Sequence, residues 1–257
     1  MKLRIRFSKY GALRFIGHLD VMRFFQKAVR RAGIDVAYST GFSPHQIMSF
    51  ASPLGLGVES RGDYLDIEVN EPMKIPMNAQ EMLERLNAAC VEGIEITRIV
   101  RLPEKAGNAM ASVAAAAYTA QLKPGQSVQL MQTGREESVP EQTFSDFSFL
   151  EEIIPAFLAQ EQIFITKETK KGVSQMDIRP GIFSLSVQDG VLHLLTDASS
   201  AGNIKPYVLL EALLSYAGCP EEKMPPFWSV QFTRLETYTR AEADGALIAL
   251  GDVGEAF

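Results

Sequence analysis

The first 103 residues alternate between strand and helix patterns in an order that limits the possible folds. Residues 2–8 alternate apolar and polar side chains, which is the period of a half-buried strand. Residues 18–32 have apolar side chains at helical spacing, and Gly33 is suited to end that helix. Two strands, a helix capped by Asn78 and a last strand follow. The order strand, helix, strand, strand, helix, strand is typical of a ferredoxin-like domain.

A similar order recurs after a connector, residues 103–113, that contains proline and glycine. It comprises a strand at 115–122, a helix at 147–160, a hairpin around Asp189-Gly190, a helix with Pro206 in its first turn and a final strand. The sequence therefore predicts an α+β fold of two consecutive ferredoxin-like (βαββαβ) domains. We place the N-terminal domain at 1–103, the C-terminal domain at 114–240 and a mobile acidic tail at 241–257.

Composition favours a cytoplasmic globular protein without a membrane-bound segment. Apolar residues make up 46% of the chain, enough for a core. The N-terminal residues lack the apolar stretch of a signal peptide, and the longest uncharged stretch, 109–122, is too short to span a bilayer. The two cysteines, Cys90 and Cys219, lie far apart, so we expect free thiols, no bound metal and no cofactor.

The charge of the chain is distributed unevenly, with a basic beginning. Residues 1–50 carry nine Lys or Arg and two acidic residues, a local net charge of +7, whereas the whole chain has a net charge of −6. Four of these cations recur at helical spacing in the first helix: Arg23, Lys27, Arg30 and Arg31. On a helix they form one stripe, which is either an ordinary solvated face or an electrostatic footprint for a phosphate-bearing partner.

The basic helix leads into a turn-rich segment, residues 38–45, with two aromatic rings and an imidazole. Its Tyr38, Phe42 and His45 side chains are suited to stacking on bases or contacting base edges. A second, weaker basic cluster lies downstream. It includes Lys170, Lys171 and Arg179. We expect all these residues to contact nucleic acid if the chain binds it.

Catalytic signatures are absent from the sequence. No HExxH, GxSxG or CxxC motif occurs, so the prediction leans against an enzyme and commits to no catalytic residue. His18, at the start of the first helix, and His45, in the turn, are the alternatives for acid–base chemistry.

Several of these residues together resemble the bacterial radical SAM-linked protein family, also called domain of unknown function 2344. The resemblance lies in the segments His18-Leu19-Asp20, Met22–Phe25, Arg30–Ala32, Gly41–His45 and Asp177–Pro180. It implies a radical SAM enzyme as a partner. Many members have Pro-Lys after the Pro-His pair, where this chain has Gln46-Ile47, and this departure weakens a catalytic interpretation. The chain also lacks the CxxxCxxC trio that would hold an iron–sulfur cluster.

Three hypotheses follow. The first, which we favour, is a non-catalytic RNA-binding module that presents tRNA or rRNA to a radical SAM modifying enzyme. The second is a metal-independent endoribonuclease of the CRISPR-repeat-processing type, with His18 or His45 as general base. The third is a module whose basic helix docks on a radical SAM enzyme without contacting RNA.

Overall fold

The computed structural model describes residues 1–131, 142–169 and 172–257. Its first elements are β1 (Lys2–Lys9), α1 (His18–Arg31), β2 (Met48–Phe50), β3 (Glu59–Glu68), α2 (Ala79–Ala89), β4 (Ile94–Arg101), α3 (Ala109–Ser112) and β5 (Ala115–Leu122). They are followed by β6 (Val128–Leu130), β7 (Gln142–Phe144), α4 (Ile154–Leu158), β8 (Phe164–Thr169), β9 (Gly172–Asp177), β10 (Ile182–Gln188), β11 (Val191–Asp197), α5 (Pro206–Tyr216), β12 (Val230–Arg240) and β13 (Leu247–Ala249). The predicted α+β class is confirmed.

The chain divides into two compact units. Unit 1 contains Met1–Ala116 and Arg234–Phe257, and unit 2 contains Ala117–Thr233. The structure differs from the predicted division at 1–103, 114–240 and 241–257, because the last part of β12 and all that follows it belong to unit 1. The finer prediction of two ferredoxin-like domains is not confirmed.

The sheet of unit 1 is built around β1. Strand β1 pairs antiparallel with β4 on one side and with β3 on the other. Strand β2 pairs antiparallel with β3, and the C-terminal half of β12 also neighbours β3. Within the unit the order is therefore β4–β1–β3, with β2 and β12 next to β3.

The core of unit 1 follows from the alternation in β1. Leu3, Ile5 and Phe7 are buried together with the apolar stripe of α1 and the inner face of α2. The ring of Phe7 lies 4.7 Å from that of Phe25 and 6.0 Å from that of Phe50, so aromatic packing fixes α1 on the sheet. The predicted cap of α2 is confirmed, since the Asn78 side chain accepts a hydrogen bond from the Glu81 amide.

The C-terminal segment is paired within unit 1. Strand β13 pairs with β12, and Leu250 is fully buried. Asp252 and Glu255 form ion pairs with Arg98 and Arg101 of β4. The sequence pattern did not indicate these contacts of the predicted tail, because isolated acidic residues give no sign of which cations they will meet.

Unit 2 contains the predicted hairpin and last helix. The turn between β10 and β11 has positive φ at both Asp189 and Gly190, as a two-residue hairpin turn requires. Pro206 lies in the first turn of α5, as predicted. The predicted helix at 147–160 is instead a short 3₁₀ turn followed by α4, which begins beside Pro155 because proline tolerates only a first helical turn.

The strands of unit 2 lie in the order β10–β11–β5, and the N-terminal half of β12 is next to β5. The hairpins β6–β7 and β8–β9 form two separate two-stranded sheets. The sequence pattern did not indicate β6, β7 or β9.

Candidate nucleic-acid interface

Helix α1 buries one face and exposes the opposite one. Val21, Phe25, Ala28 and Val29 are its buried residues, and they recur every three or four positions. Arg23, Lys27 and Arg30 lie between them and are exposed. Burial of the apolar stripe therefore turns these three cations toward solvent, and we call them the α1 cations.

The charges of the α1 cations are only weakly compensated. Arg23 forms an ion pair of 3.3 Å with Asp20, but both side chains are more than 60% exposed, so the pair contributes little. Lys27 forms no ion pair with any residue that the structure describes. Arg30 has a neutral partner, the phenol of Tyr38. The three cations consequently remain accessible to an anionic partner.

Arg31 is also exposed, but its side chain is held by a neighbouring helix. Its guanidinium donates a 2.6 Å hydrogen bond to the carbonyl oxygen of Ala89, at the C-terminal end of α2. It is also the neighbouring charge of Cys90, whose pKa is raised to about 11 by burial, with Arg31 acting in the opposite direction. All four predicted cations are therefore exposed, and the last one also caps the C-terminal end of a neighbouring helix.

The basic N-terminal segment is partly neutralised by folding. Arg4 pairs with Asp66 at 2.7 Å, Arg6 pairs with Glu236 at 2.9 Å and Arg14 pairs with Glu59 at 2.7 Å. These three carboxylates lie outside residues 1–50, so the local charge of +7 in the sequence overstates the charge on the folded surface.

The segment after α1 forms a loop whose ends are joined. The Ser39 amide donates to the His45 carbonyl at 2.8 Å, and the Ser39 hydroxyl accepts from the His45 amide at 3.1 Å. Tyr38 and Gln46 form an antiparallel bridge just outside this closure. Phe42 lies between the closed ends with its side chain wholly exposed. We call residues 39–45 the 39–45 loop.

Tyr38 connects the α1 cations to the 39–45 loop. Its side chain is about half exposed, and its hydroxyl accepts a hydrogen bond of 3.4 Å from Gln46 Nε2. Hydrogen bonds from Gln46 and from Arg30 lower the pKa of Tyr38. Gln46 itself is buried, and its Oε1 has no hydrogen-bond partner among the described residues.

The two histidines occupy different environments. His45 is exposed, and its Nδ1 lies 2.9 Å from the Ser39 hydroxyl, which fixes the ring. His18 is half buried, with its ring edge-on to Phe50 at 5.1 Å. His18 lines a pocket whose wall does not include the 39–45 loop. The structure therefore does not bring the two imidazoles together.

The downstream basic residues belong to unit 2 or lie outside the described residues. Arg179 donates through Nε to the Leu158 carbonyl at 2.8 Å, and its amide donates to Asp177 at 3.0 Å. This side chain holds the end of α4 to the segment after β9. Lys170 and Lys171 lie outside the described residues.

The pocket beside His18 contains a lysine that sequence reasoning missed. Lys9 lines it together with Asp63, and both residues are buried, with Lys9 only 2% exposed. Arg234 forms a 2.6 Å ion pair with Asp63. The sequence contains a signal for this position. Lys9 lies two residues after Phe7 in the alternation of β1, so it is on the same face as Leu3, Ile5 and Phe7 and points into the core.

Metal and membrane contacts find no support in the described residues. Within 1–131, 142–169 and 172–257 there is no cluster of three His, Cys, Asp or Glu side chains able to hold a metal ion. None of the helices in these ranges is both long enough and apolar enough to cross a bilayer.

Comparison with protein families identifies the group to which the sequence belongs. Residues 2–206 match the model of a family described as "Uncharacterized protein conserved in bacteria (DUF2344)". The chain belongs to this family. The matched range includes the α1 cations, the 39–45 loop and Lys9 of this DUF2344 protein. A search of curated proteins finds no match.

Proposed function

We propose that this DUF2344 protein is a non-catalytic RNA-binding module that uses the α1 cations and the 39–45 loop. The observation that carries the proposal is that α1 exposes cations and the closed loop segment after it exposes aromatic rings. Arg30 is close enough to Tyr38 to lower the pKa of its phenol, so the charged and the aromatic parts are neighbours. Proteins that bind single-stranded RNA combine these two features, cations for the phosphates and rings for the bases.

Each side chain of this surface has a role that follows from its exposure. Arg23 and Lys27 contact phosphates without first giving up a strong partner. Tyr38 and Phe42 stack on bases, and the outer nitrogen of His45 meets a base edge. Arg31 and Arg179 contribute less, because each already donates to a backbone carbonyl. In this proposal Lys170 and Lys171 make further phosphate contacts.

Two further parts of the proposal have different support. The partner enzyme, a radical SAM protein that modifies the bound tRNA or rRNA, comes from the family resemblance. The description of each unit as a ferredoxin-like domain is supported by strand order. In unit 1 the order is β4–β1–β3–β2, with α1 after β1 and α2 after β3. In unit 2 the order is the N-terminal half of β12, then β5, β11 and β10. If these four strands of each unit are numbered along the chain, both units have the order fourth, first, third, second.

A salt titration tests the RNA interface. Fluorescence anisotropy with bulk tRNA and with a single-stranded rRNA fragment is measured at several potassium chloride concentrations. The variant Arg23→Gln/Lys27→Gln/Arg30→Gln should weaken binding and reduce the slope of log K against log salt by about 2, because three phosphate contacts are lost. The matched control, Arg61→Gln/Lys74→Gln/Lys105→Gln, removes three exposed cations elsewhere in unit 1 and should leave the slope nearly unchanged.

Stacking is tested separately from charge. Phe42→Ala should weaken binding about tenfold without changing the salt slope, because base stacking contributes about 1–3 kcal/mol and releases no counterions. Absence of salt-dependent binding in the parent protein would refute the RNA proposal. If the parent protein instead bound a radical SAM enzyme through the α1 cations, we would conclude that its function is to dock on that enzyme.

Cleavage of the RNA during these titrations would overturn the non-catalytic assignment. In that case, the variants His18→Ala and His45→Ala would show which histidine acts as the general base of the cleavage. The separate environments of the two rings predict that at most one of these variants would abolish cleavage.

A further inference from the structure

We propose that the RNA interface continues to the residues before α1, where Phe15 is a second base-stacking ring, and that its ligand is a single RNA strand lying along the helix. This inference rests on the proposed function and names the class of RNA that the surface takes. The aromatic residues Tyr38 and Phe42 follow the C-terminal end of α1, whereas Phe15 precedes its N-terminal end. A strand that contacts both groups crosses the α1 cations between them.

Phe15 belongs to a group of exposed apolar side chains at the start of α1. Phe15 is 61% exposed, Leu19 60% and Leu56 58%. The Gly57 amide donates to the Arg14 carbonyl at 2.8 Å, which brings the neighbouring residues Leu56 and Phe15 close together. Leu19 follows in the first turn of the helix. Single exposed apolar residues are normal on a protein surface, but a group of large ones marks an interaction site.

The ring of Phe15 is held in place from one side. The Arg14 guanidinium carbon lies 4.8 Å from the centre of the ring. Arg14 Nη1 in turn donates to Glu59 at 2.7 Å, and the same carboxylate oxygen accepts from the Gly11 amide at 3.1 Å. This cation–π contact covers one face of a ring that remains mostly exposed, so the opposite face is open to a base. A ring fixed before binding loses less entropy when a base stacks on it.

The exposed face of α1 connects Phe15 to the 39–45 loop. Leu19, Arg23, Lys27 and Arg30 are all exposed. With 3.6 residues per turn, these four positions fall within a sector of about 80° on the helix surface. Arg30, the last of them, is close to Tyr38. The surface therefore changes from apolar to cationic to aromatic along one side of the helix.

The length of this surface fits a short single strand. Leu19 and Arg30 are separated by eleven positions of α1, which is about 16 Å at a rise of about 1.5 Å per residue. A strand with the stacked spacing of about 3.4 Å covers this distance in about five steps, and the rings beyond each end extend the site to about six to eight nucleotides. In a duplex the bases are already stacked on one another and are not available to Phe15 or Phe42.

The charges between the rings favour RNA over a protein as the occupant. Arg23 has an exposed and weak ion pair with Asp20, and Lys27 forms none with any residue that the structure describes. The cores of protein–protein interfaces are depleted of lysine. A single RNA strand instead supplies a phosphate at each step and a base for each ring, which matches both the cations and the apolar group.

The decisive experiment compares Phe15→Ala with the parent protein by fluorescence anisotropy, with uridine oligonucleotides of three and twelve nucleotides. We expect the affinity of the parent to rise with length and to level off near eight nucleotides. Phe15→Ala should bind the 12-mer about tenfold more weakly with an unchanged salt slope, because it loses a stacked base and no phosphate contact. The 3-mer cannot reach both ends of α1, so its affinity should fall by no more than about twofold.

Matched variants separate stacking from other effects. Phe15→Trp keeps an aromatic ring and should bind the 12-mer like the parent. Phe164→Ala removes an exposed phenylalanine of unit 2 and should also bind like the parent. A duplex of twelve base pairs contacts only the cations, so Phe15→Ala should not change its affinity. The urea midpoint of Phe15→Ala should equal that of the parent, because an exposed side chain adds little to stability.

The outcomes distinguish this inference from the proposed function. If the parent bound no RNA in a salt-dependent manner, the RNA interface itself would be refuted. If Phe42→Ala weakened binding of the 12-mer and Phe15→Ala did not, the interface would stand and the extension to Phe15 would be wrong. Binding of tRNA without binding of the 12-mer, or an equal loss for strand and duplex, would likewise overturn the extension. Unchanged RNA binding by Phe15→Ala together with loss of binding to a radical SAM enzyme would assign the apolar group to a protein partner.

Discussion

The ion pair between Arg234 and Asp63 provides the sharpest test of the structure. Both side chains are at most 7% exposed, and Arg234 Nη1 lies 2.6 Å from Asp63 Oδ1. Asp63→Asn removes the negative charge and leaves Arg234 buried beside Lys9 with no carboxylate in this ion pair. Leaving one member of a buried pair uncompensated costs about 3–5 kcal/mol. We expect the free energy of unfolding to fall by that amount at neutral pH.

A double variant distinguishes this cause from a general loss of packing. Replacing both members, in Asp63→Leu/Arg234→Met, removes the uncompensated charge and should restore much of the stability lost in Asp63→Asn. Unfolding in urea, followed by circular dichroism, measures each free energy. A loss below about 1 kcal/mol in Asp63→Asn would refute the reasoning, since such a value is typical of an exposed pair.

Three further predictions concern single residues. Burial lowers the pKa of Lys9, so the folded state binds fewer protons than the unfolded state between this lowered pKa and the ordinary lysine value of 10.5. The free energy of unfolding should therefore rise with pH across that window in the parent and not in Lys9→Met. Gly62→Ala should destabilise by about 1–3 kcal/mol in urea unfolding, because its new Cβ would lie 2.6 Å from the Leu235 carbonyl oxygen. Leu250→Ala should cost about 2–4 kcal/mol if the C-terminal segment is docked, and almost nothing if it were mobile, as thermal unfolding would show.

Much of unit 1 was predictable because its elements have clear periods. The alternation at 2–8 gave β1, the helical spacing at 18–32 gave α1, and the cap residue Asn78 gave the start of α2. In unit 2 the Asp189-Gly190 turn fixed the β10–β11 hairpin. In each case a local physical constraint, such as a buried face, a cap or a positive φ, determines the structure without reference to distant residues.

The elements that were missed depend on contacts that are distant in the chain or on strands too short for a pattern. Strands β6 and β7 have only three residues each, so alternation cannot identify them. Strand β13 and the docking of Leu250 depend on pairing with β12 and on cations of β4. A sequence pattern contains no information on which distant partner such a segment will meet.

The candidate interface was predictable in outline and not in detail. Helical spacing places Arg23, Lys27 and Arg30 on the exposed face, whereas Arg31 turns to α2 because the packing of the two helices brings Ala89 within its reach. The pairing of Arg4 with Asp66 depends on the register between β1 and β3, where these residues lie directly opposite. Charge counts along a sequence therefore overestimate the charge of a folded surface wherever strand register supplies partners.

Strand β1 shows how register decides which of its cations form ion pairs. Its even positions include Arg4 and Arg6, and both meet carboxylates, Asp66 and Glu236. Its odd positions face the core, and the last of them is Lys9. On that face the one carboxylate opposite the bulge, Asp63, is bound by Arg234. Lys9 is therefore held by the carbonyl oxygens of Leu13 and Arg14, and the negative charges of Asp63 and Glu59 act against the burial that lowers its pKa.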